Sequence, residues 1–137
     1  MRTGSDTADI VLRFAGKEVG LVLPHRGTDH VQKQIVGTGR FYEQDMLEHS
    51  ATLLSAGDCV VDVGAYIGTH TLFWACVCGA RVVAFEPNPD YAFFARWMLR
   101  GRVEVHELAL SDKAGRATFY VPLSDEGMVL HFAGSLK

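Results

Sequence analysis

The chain has 137 residues, a net charge of −3 and 48% hydrophobic residues. This length suits one domain that buries about two thirds of the surface exposed by its unfolded chain. Basic residues are scattered, so no electrostatic footprint for a nucleic acid is visible, and the longest apolar run, residues 72–80, is too short for a membrane span. We therefore expect a cytoplasmic globular chain with no nucleic-acid or membrane partner.

The cysteines and histidines show no metal-binding pattern. The three cysteines, Cys59, Cys76 and Cys78, contain no C-x-x-C pair, and their odd number does not suit a disulfide framework. The six histidines also lack ligand spacing. We expect buried, reduced thiols and no metal.

The first half of the chain contains signals for a hairpin and a helix. Residues 9–23 form two apolar, β-branched runs around Gly16, which predicts a β-hairpin beside the main domain. Residues 41–54 carry apolar side chains on one helical face and are followed by Gly57. We expect this helix to lie across the mouth of the candidate site, where Tyr42 or Glu43 can reach a ligand. An ordinary surface helix is an equally good interpretation.

A strand, a glycine turn and a helix follow. Residues 59–63 are short, apolar and β-branched, which is typical of a strand buried on both faces, and a helix is expected from Thr69. Gly64 and Gly68 lie between them and can adopt positive φ angles. Free N–H groups at such a turn favour an anion, either a phosphate or a carboxylate.

The next predicted strand, residues 82–85, ends in an acid, Glu86. Glu86 follows Asp62 by 24 residues, close to the interval of roughly 20 residues at which such folds place a ribose-binding acid. A dinucleotide fingerprint needs a glycine at the position of Tyr66, which is too bulky for a pyrophosphate. The turn instead suits the amino-acid end of S-adenosylmethionine, and this disfavours an NAD-dependent oxidoreductase.

The remaining elements complete an α/β pattern. Asn88 as N-cap and Pro89 at the first helical position predict a helix that ends at Gly101. Helical spacing indicates core packing for its larger side chains, Tyr91, Phe94, Trp97 and Met98. Residues 103–108 and 117–121 are predicted to be a third and a short fourth strand.

Residues 39–122 resemble the FkbM family of S-adenosylmethionine-dependent methyltransferases. The resemblance rests on residues 41–43 (FYE), 61–72 (VDVGAYIGTHTL), 84–89 (AFEPNP) and 109–112 (ALSD), and on Gly115. It implies O-methylation of a small-molecule, sugar or polyketide hydroxyl. It also implies that Gly64, Ala65 and Gly68 bind the methionine moiety, Glu86 the ribose, and Asn88 with Ala109 and Leu110 the adenine. Other expected cofactor-binding residues are Asp62, Tyr66, Pro87 and Glu43.

The expected architecture is a partial Rossmann-like methyltransferase fold, a parallel sheet flanked by helices with an N-terminal β-hairpin. We divide this single incomplete domain into a hairpin and connector (1–38), a cofactor-binding half (39–122) and a C-terminal tail (123–137). After Val121 the family's Asp-x-Glu-Gly type motif is missing. We therefore expect a truncated chain without its acceptor side, in which strand 59–63 becomes an apolar edge. Such a chain is expected to be unstable, to self-associate, or to cover that edge with residues 123–137.

Two functions remain open at the level of sequence. The chain is either an S-adenosylmethionine-dependent O-methyltransferase or an inactive fragment or partner subunit that binds S-adenosylmethionine or a nucleoside. No catalytic base is identified. His70 lies beside the glycine turn, but a histidine at a helix N-terminus more often packs or caps, and the helix dipole disfavours its protonation.

Overall fold

The computed structural model describes residues 9–121 and the backbone of Ser135–Leu136. Two antiparallel strands, β1 (Ile10–Phe14) and β2 (Lys17–Leu21), are followed by helices α1 (His30–Thr38) and α2 (Gln44–Leu53). The next elements are β3 (Cys59–Val63), α3 (Thr69–Leu72), a π-helical turn (Phe73–Val77), β4 (Arg81–Phe85), α4 (Pro89–Leu99) and β5 (Glu104–His106). Two short strands, β6 (Phe119–Tyr120) and β7 (Ser135–Leu136), complete the described elements.

Strands β3, β4 and β5 form a parallel sheet in that spatial order. The register pairs Val61 with Val83, and Val83 with Glu104. Helix α3 with the π-helical turn connects β3 to β4, and α4 connects β4 to β5. The predicted α/β class, with a parallel sheet flanked by helices and an N-terminal hairpin, is confirmed.

The hairpin turns through only two residues, Ala15 and Gly16, because Phe14 pairs directly with Lys17. Both turn residues have positive φ angles, 48° and 77°. Positive φ at both positions characterises the type I′ turn, whose twist matches that of the flanking strands. The hairpin packs on the main domain through Phe14, whose ring lies 5.1 Å from that of Phe73.

Phe73 connects the N-terminal elements to the rest of the hydrophobic core. It is fully buried, and its ring contacts Phe14 from the hairpin and, at 5.3 Å, Phe41 ahead of α2. The same core includes Leu47 of α2 and Leu99 of α4. The N-terminal elements and the parallel sheet therefore share one core.

Helix α1 is an element that the sequence interpretation placed in a connector. Asp29 is its N-cap and accepts a hydrogen bond from the Gln32 N–H at 2.9 Å. Gly39 ends it in a left-handed conformation, with its N–H on the Ile35 carbonyl. The first N–H groups and the last carbonyl groups of a helix have no partner within the helix. In α1 the caps at the two ends supply partners for some of them.

Strand β3 was wrongly predicted to be buried on both faces. Asp62 is 7% exposed, whereas Val61 and Val63 are 55% and 62% exposed. Within the described residues β3 has a neighbour on one side only, β4, so the edge expected from the sequence is present. Cys59 on this strand is exposed, contrary to the buried thiol expected, while Cys76 and Cys78 are half-buried.

Other elements depart from prediction in smaller ways. The helix predicted from residue 41 begins at Gln44, and the apolar run after α3 adopts a π-helical turn. Trp97, predicted to be in the core, is 45% exposed on α4. Strand β5 has three residues, and β6 pairs with β7 in a separate antiparallel sheet. The expected tail, residues 123–137, lies outside the described residues apart from the β7 backbone.

Candidate functional site

The candidate site lies where β3 and β4 end, because the carboxyl ends of neighbouring parallel strands meet at the same edge of a sheet. Asp62 near the end of β3 is paired in register with Ala84 of β4, and Glu86 follows β4 directly. Both carboxyl side chains are buried, with Glu86 5% exposed. The structure therefore brings together the two acids that the sequence interpretation singled out.

The glycine turn after β3 is tied to the end of β4. The N–H groups of Gly64 and Ala65 both donate to the Phe85 carbonyl, at 2.8 and 3.0 Å. The Gly68 N–H donates to the Ala65 carbonyl at 2.8 Å. These donors were expected to be free for an anion, but in the structure they hold the turn in place.

The two glycines of this turn serve different purposes. Gly64 has a φ angle of 81°, and a Cβ built on it meets nothing within 4 Å, so open space lies beside its Cα. A Cβ on Gly68, whose φ angle is 89°, would lie 3.3 Å from the Leu99 side chain. A ligand can therefore approach the backbone at Gly64, whereas Gly68 allows α4 to pack against the turn.

Glu86 is held by two backbone N–H groups. Its Oε2 accepts from the Tyr66 N–H at 2.7 Å, and its Oε1 accepts from the Asn88 N–H at 2.8 Å. Desolvation by burial raises the pKa of Glu86, the hydrogen bonds from Asn88 and Tyr66 lower it, and the charge of Asp62 raises it again. Each carboxylate oxygen can accept two hydrogen bonds, so one acceptor position remains on each oxygen.

Asp62 is bonded to the helix that follows the turn. The Thr71 hydroxyl of α3 donates a hydrogen bond to Asp62 Oδ2. Burial raises the pKa of Asp62, while the Thr71 hydrogen bond and the nearby His70 lower it. The Asp62–Thr71 bond connects the end of β3 to α3 and closes the turn between them.

The predicted adenine-binding residues lie at the same end of the sheet. Asn88 is buried and caps α4, its Oδ1 accepting from the Asp90 N–H at 3.0 Å, and Pro87 beside it is half-buried. Ala109 and Leu110 follow β5, and Leu110 is 47% exposed. These positions agree with an adenine subsite, and the assignment stays a prediction.

Glu43 and His70 meet beside the glycine turn. Glu43 precedes α2 with a φ angle of 53°, and its Oε2 lies 3.7 Å from His70 Nε2. His70 Nε2 is also 3.0 Å from the Tyr42 carbonyl oxygen, and the two rings stack with centroids 6.3 Å apart. Glu43, an expected cofactor-binding residue, therefore lies beside the glycine turn. His70 packs against Tyr42 and forms a hydrogen bond with its carbonyl.

A polar network at the N-terminus of α1 was not found from the sequence. Gln32 is completely buried, and its Nε2 donates to the Tyr66 hydroxyl at 2.6 Å. Asp29 is also completely buried, and its Oδ2 lacks a hydrogen-bond partner among the described residues. The available signal was the Asp29-x-x-Gln32 spacing, a capping-box pattern that marks a helix N-terminus.

The described part of the chain has neither a membrane-spanning helix nor a cluster of metal ligands. Its helices are all too short or too polar to cross a bilayer. Residues 9–121 also contain no group of three or more His, Cys, Asp or Glu side chains that could hold a metal ion.

Comparison with known proteins shows a methyltransferase relationship. The family described as "Methyltransferase FkbM domain" matches residues 62–135, which is more than half of the chain. Hexuronic acid methyltransferase AglP from Haloferax volcanii is 46% identical over 50 residues, covering 35% of this chain and 19% of the relative.

Two solved structures align with part of this chain at low identity. TYW2 from P. horikoshii, in complex with MeSAdo, aligns with a TM-score of 0.48 at 20% identity, covering 77% of this chain and 38% of that one. A Clostridium thermocellum protein named as a candidate rRNA-methylase aligns with a TM-score of 0.45 at 20% identity, covering 48% and 39% of the two chains. All these matches span less than two thirds of the relative's own length.

Proposed function

The chain belongs to the FkbM methyltransferase family, and from this premise we propose that it binds S-adenosylmethionine for the methylation of a hydroxyl oxygen. The observation that carries the proposal is the geometry of Glu86. This buried carboxylate follows a central strand, and two backbone N–H groups fix its oxygens. One acceptor position remains on each oxygen, which matches the two hydroxyls of a ribose.

The residues at the site fit the cofactor. Glu86 receives the ribose hydroxyls, and the open space beside Gly64 admits the methionine moiety close to the backbone. Asp62 supplies negative charge near the site of the methionine ammonium. The remaining contacts that we assign to the cofactor come from Ala65, Tyr66 and Gly68 in the turn, Pro87 and Asn88 ahead of α4, Ala109 and Leu110 after β5, and Glu43.

The cofactor, when bound, supplies a methyl group activated on a sulfonium. Transfer to an oxygen nucleophile is an in-line displacement, so the contribution of this chain is to bind and orient. Fixing two reactants in the productive geometry can supply roughly 7–11 kcal/mol of the barrier. The rigid placement of Glu86 and of the glycine turn by backbone hydrogen bonds serves this purpose.

We propose a small molecule, of the sugar or polyketide type, as the methyl acceptor. The relative AglP supports a sugar in particular, since it is named as a hexuronic acid methyltransferase. We further propose that residues 39–122 form the cofactor-binding half, preceded by residues 1–38 as hairpin and connector and followed by residues 123–137 as a tail.

Substitution of Glu86 tests the proposal. Glu86→Ala removes the acceptor for both ribose hydroxyls, so we expect S-adenosylhomocysteine to bind at least about tenfold more weakly, as for the loss of hydrogen bonds to a charged group. Calorimetric titration measures the affinity. Glu104→Ala, which removes an exposed carboxylate on β5, is the matched control and should bind like the unsubstituted chain. Unchanged affinity in a folded Glu86→Ala variant would remove the main support for the proposal.

A further inference from the structure

The side chain of Gln32 is a buried amide that is hydrogen-bonded at both its nitrogen and its oxygen. Its Nε2 donates to the Tyr66 hydroxyl at 2.6 Å, and its Oε1 accepts from the His25 N–H at 2.7 Å. Its backbone N–H is held by Asp29 Oδ1 at the start of α1. Because both ends of a buried amide are bonded, the side chain has a single satisfied orientation.

Tyr66 receives this hydrogen bond and contacts Glu86 through its backbone. Its φ angle of 56° lies in the left-handed region, which a bulky residue adopts only when its surroundings impose it. Its ring packs edge-to-face on Tyr91, with centroids 4.7 Å apart, and its N–H donates to Glu86 Oε2. The side chain therefore holds the backbone conformation that directs this N–H at the carboxylate.

The hydroxyl of Tyr66 is kept neutral by its surroundings. Burial is the main cause that raises the pKa of Tyr66, and the charge of Asp29 raises it further, although the Gln32 hydrogen bond acts in the opposite direction. A neutral hydroxyl accepts from the Gln32 amide and keeps its own hydrogen.

We propose that Gln32 is a positioning residue for Glu86. Through the Tyr66 hydroxyl, Gln32 holds the Tyr66 N–H on Glu86 Oε2 and so orients the carboxylate toward a ribose. This inference rests on the proposed function, which makes Glu86 the ribose ligand. According to this proposal, α1 supports the cofactor site, although Gln32 precedes Tyr66 by 34 residues in the sequence.

The first test measures how strongly the site selects for the ribose hydroxyls. Calorimetry gives the ratio of the affinities for S-adenosylhomocysteine and its 2′-deoxyribose analogue. We expect Gln32→Ala to lower this ratio about three- to tenfold, since a misdirected carboxylate forms the hydroxyl contact poorly. Tyr66→Phe, which keeps the ring on Tyr91, should have the same effect, and the double variant should lose no more than either single one.

Gln34→Ala is the matched control, because Gln34 is an exposed glutamine on the same helix. It should keep the ratio of the unsubstituted chain. A ratio that stays unchanged in folded Gln32→Ala and Tyr66→Phe variants overturns the positioning role. If Gln32→Ala does not fold, the Tyr66→Phe variant decides the question, since it removes the same hydrogen bond from the other side.

A second readout needs no ligand. Amide hydrogen exchange reports the Tyr66 N–H directly, and the Gly64 N–H, which is bonded to the Phe85 carbonyl, serves as an internal reference. We expect Gln32→Ala to accelerate exchange at Tyr66 more than at Gly64. Equal acceleration at both amides overturns the positioning proposal. A folded, unsubstituted chain that does not bind S-adenosylhomocysteine overturns the proposed function, and exchange at Tyr66 still decides whether Gln32 holds the turn.

Discussion

Two buried carboxyl groups, Asp62 and Glu86, determine the electrostatics of the candidate site. Burial raises the pKa of each, and in both cases hydrogen bonds to the carboxylate oppose the shift. Buried carboxylates that stay unpaired are costly, so the Thr71 hydroxyl at Asp62 and the two backbone N–H groups at Glu86 are needed to retain them. The acceptor capacity left on Glu86 is what a ribose can use.

The raised pKa of Glu86 predicts an unusual pH dependence. The folded chain holds the Glu86 proton more tightly than the unfolded chain, whose carboxyl has its usual pKa of 4.5. Its contribution to stability is therefore fully present below that pH and is lost as the pH rises through the raised pKa. Ribose binding favours the ionised form of Glu86. Cofactor affinity should therefore increase as the pH rises, whereas the contribution of Glu86 to stability decreases.

We expect S-adenosylhomocysteine to bind more weakly as the pH falls, with a midpoint above 4.5. Calorimetric titrations over a pH series measure this midpoint. Glu86→Gln cannot ionise, and it should bind weakly with a flatter pH dependence. Asp62, whose pKa is also raised, contributes to the dependence that remains in this variant. A pH profile that is identical in Glu86→Gln and the unsubstituted chain would show that Glu86 does not titrate in the site.

The spacing of residues in the sequence was sufficient to locate Asp62, Glu86 and the glycine turn. It was not sufficient to predict which side chains contact them. The interval from Asp62 to Glu86 and the paired glycines identified the turn and the acid, because the strand, turn and helix that place them are local. The bond between Gln32 and Tyr66 joins residues 34 positions apart. The sequence around either residue does not indicate such a long-range pairing, so the Gln32–Tyr66 hydrogen bond is visible only in the structure.

The N-terminal hairpin shows how local backbone geometry constrains one element. Ala15 has a φ angle of 48° in a two-residue turn, a conformation that asparagine adopts more readily than alanine. Ala15→Asn should therefore stabilise the chain by about 0.5–1 kcal/mol. Urea-induced unfolding measures the change. Ala15→Val, with its β-branched side chain at positive φ, is the opposing control and should destabilise the chain. Equal stability of the two variants would contradict the type I′ assignment.

The helices and strands differ in how well their sequences predict them. The cap of α4 was confirmed because Asn88 and Pro89 each have one strong positional preference. Strand β3 was misjudged because an apolar run does not reveal whether both of its faces are covered, and here the face that carries Val61 and Val63 is exposed. Helix α1 was missed because Gly37 and Thr38 weaken its helical pattern, although its N-cap spacing was present.

At the level of the whole molecule, the described sheet leaves one edge of β3 without a neighbouring strand. An exposed apolar edge promotes pairing with another chain. We therefore expect concentration-dependent self-association, measurable by sedimentation velocity, and we expect Val61→Lys to reduce it. Leu53→Lys, which changes another exposed apolar residue on α2 rather than on the sheet, should leave it unchanged. A monomer at all accessible concentrations would contradict this expectation.

The hairpin, α1 and the parallel sheet share one core, and the proposed function of this assembly is to hold a nucleoside cofactor at the end of β3 and β4. Calorimetric titration of the purified chain with S-adenosylhomocysteine, with NAD as the control ligand, tests this claim most directly. The proposed function predicts saturable binding of S-adenosylhomocysteine and none of NAD. A folded sample that binds neither ligand, or that binds NAD alone, would contradict it.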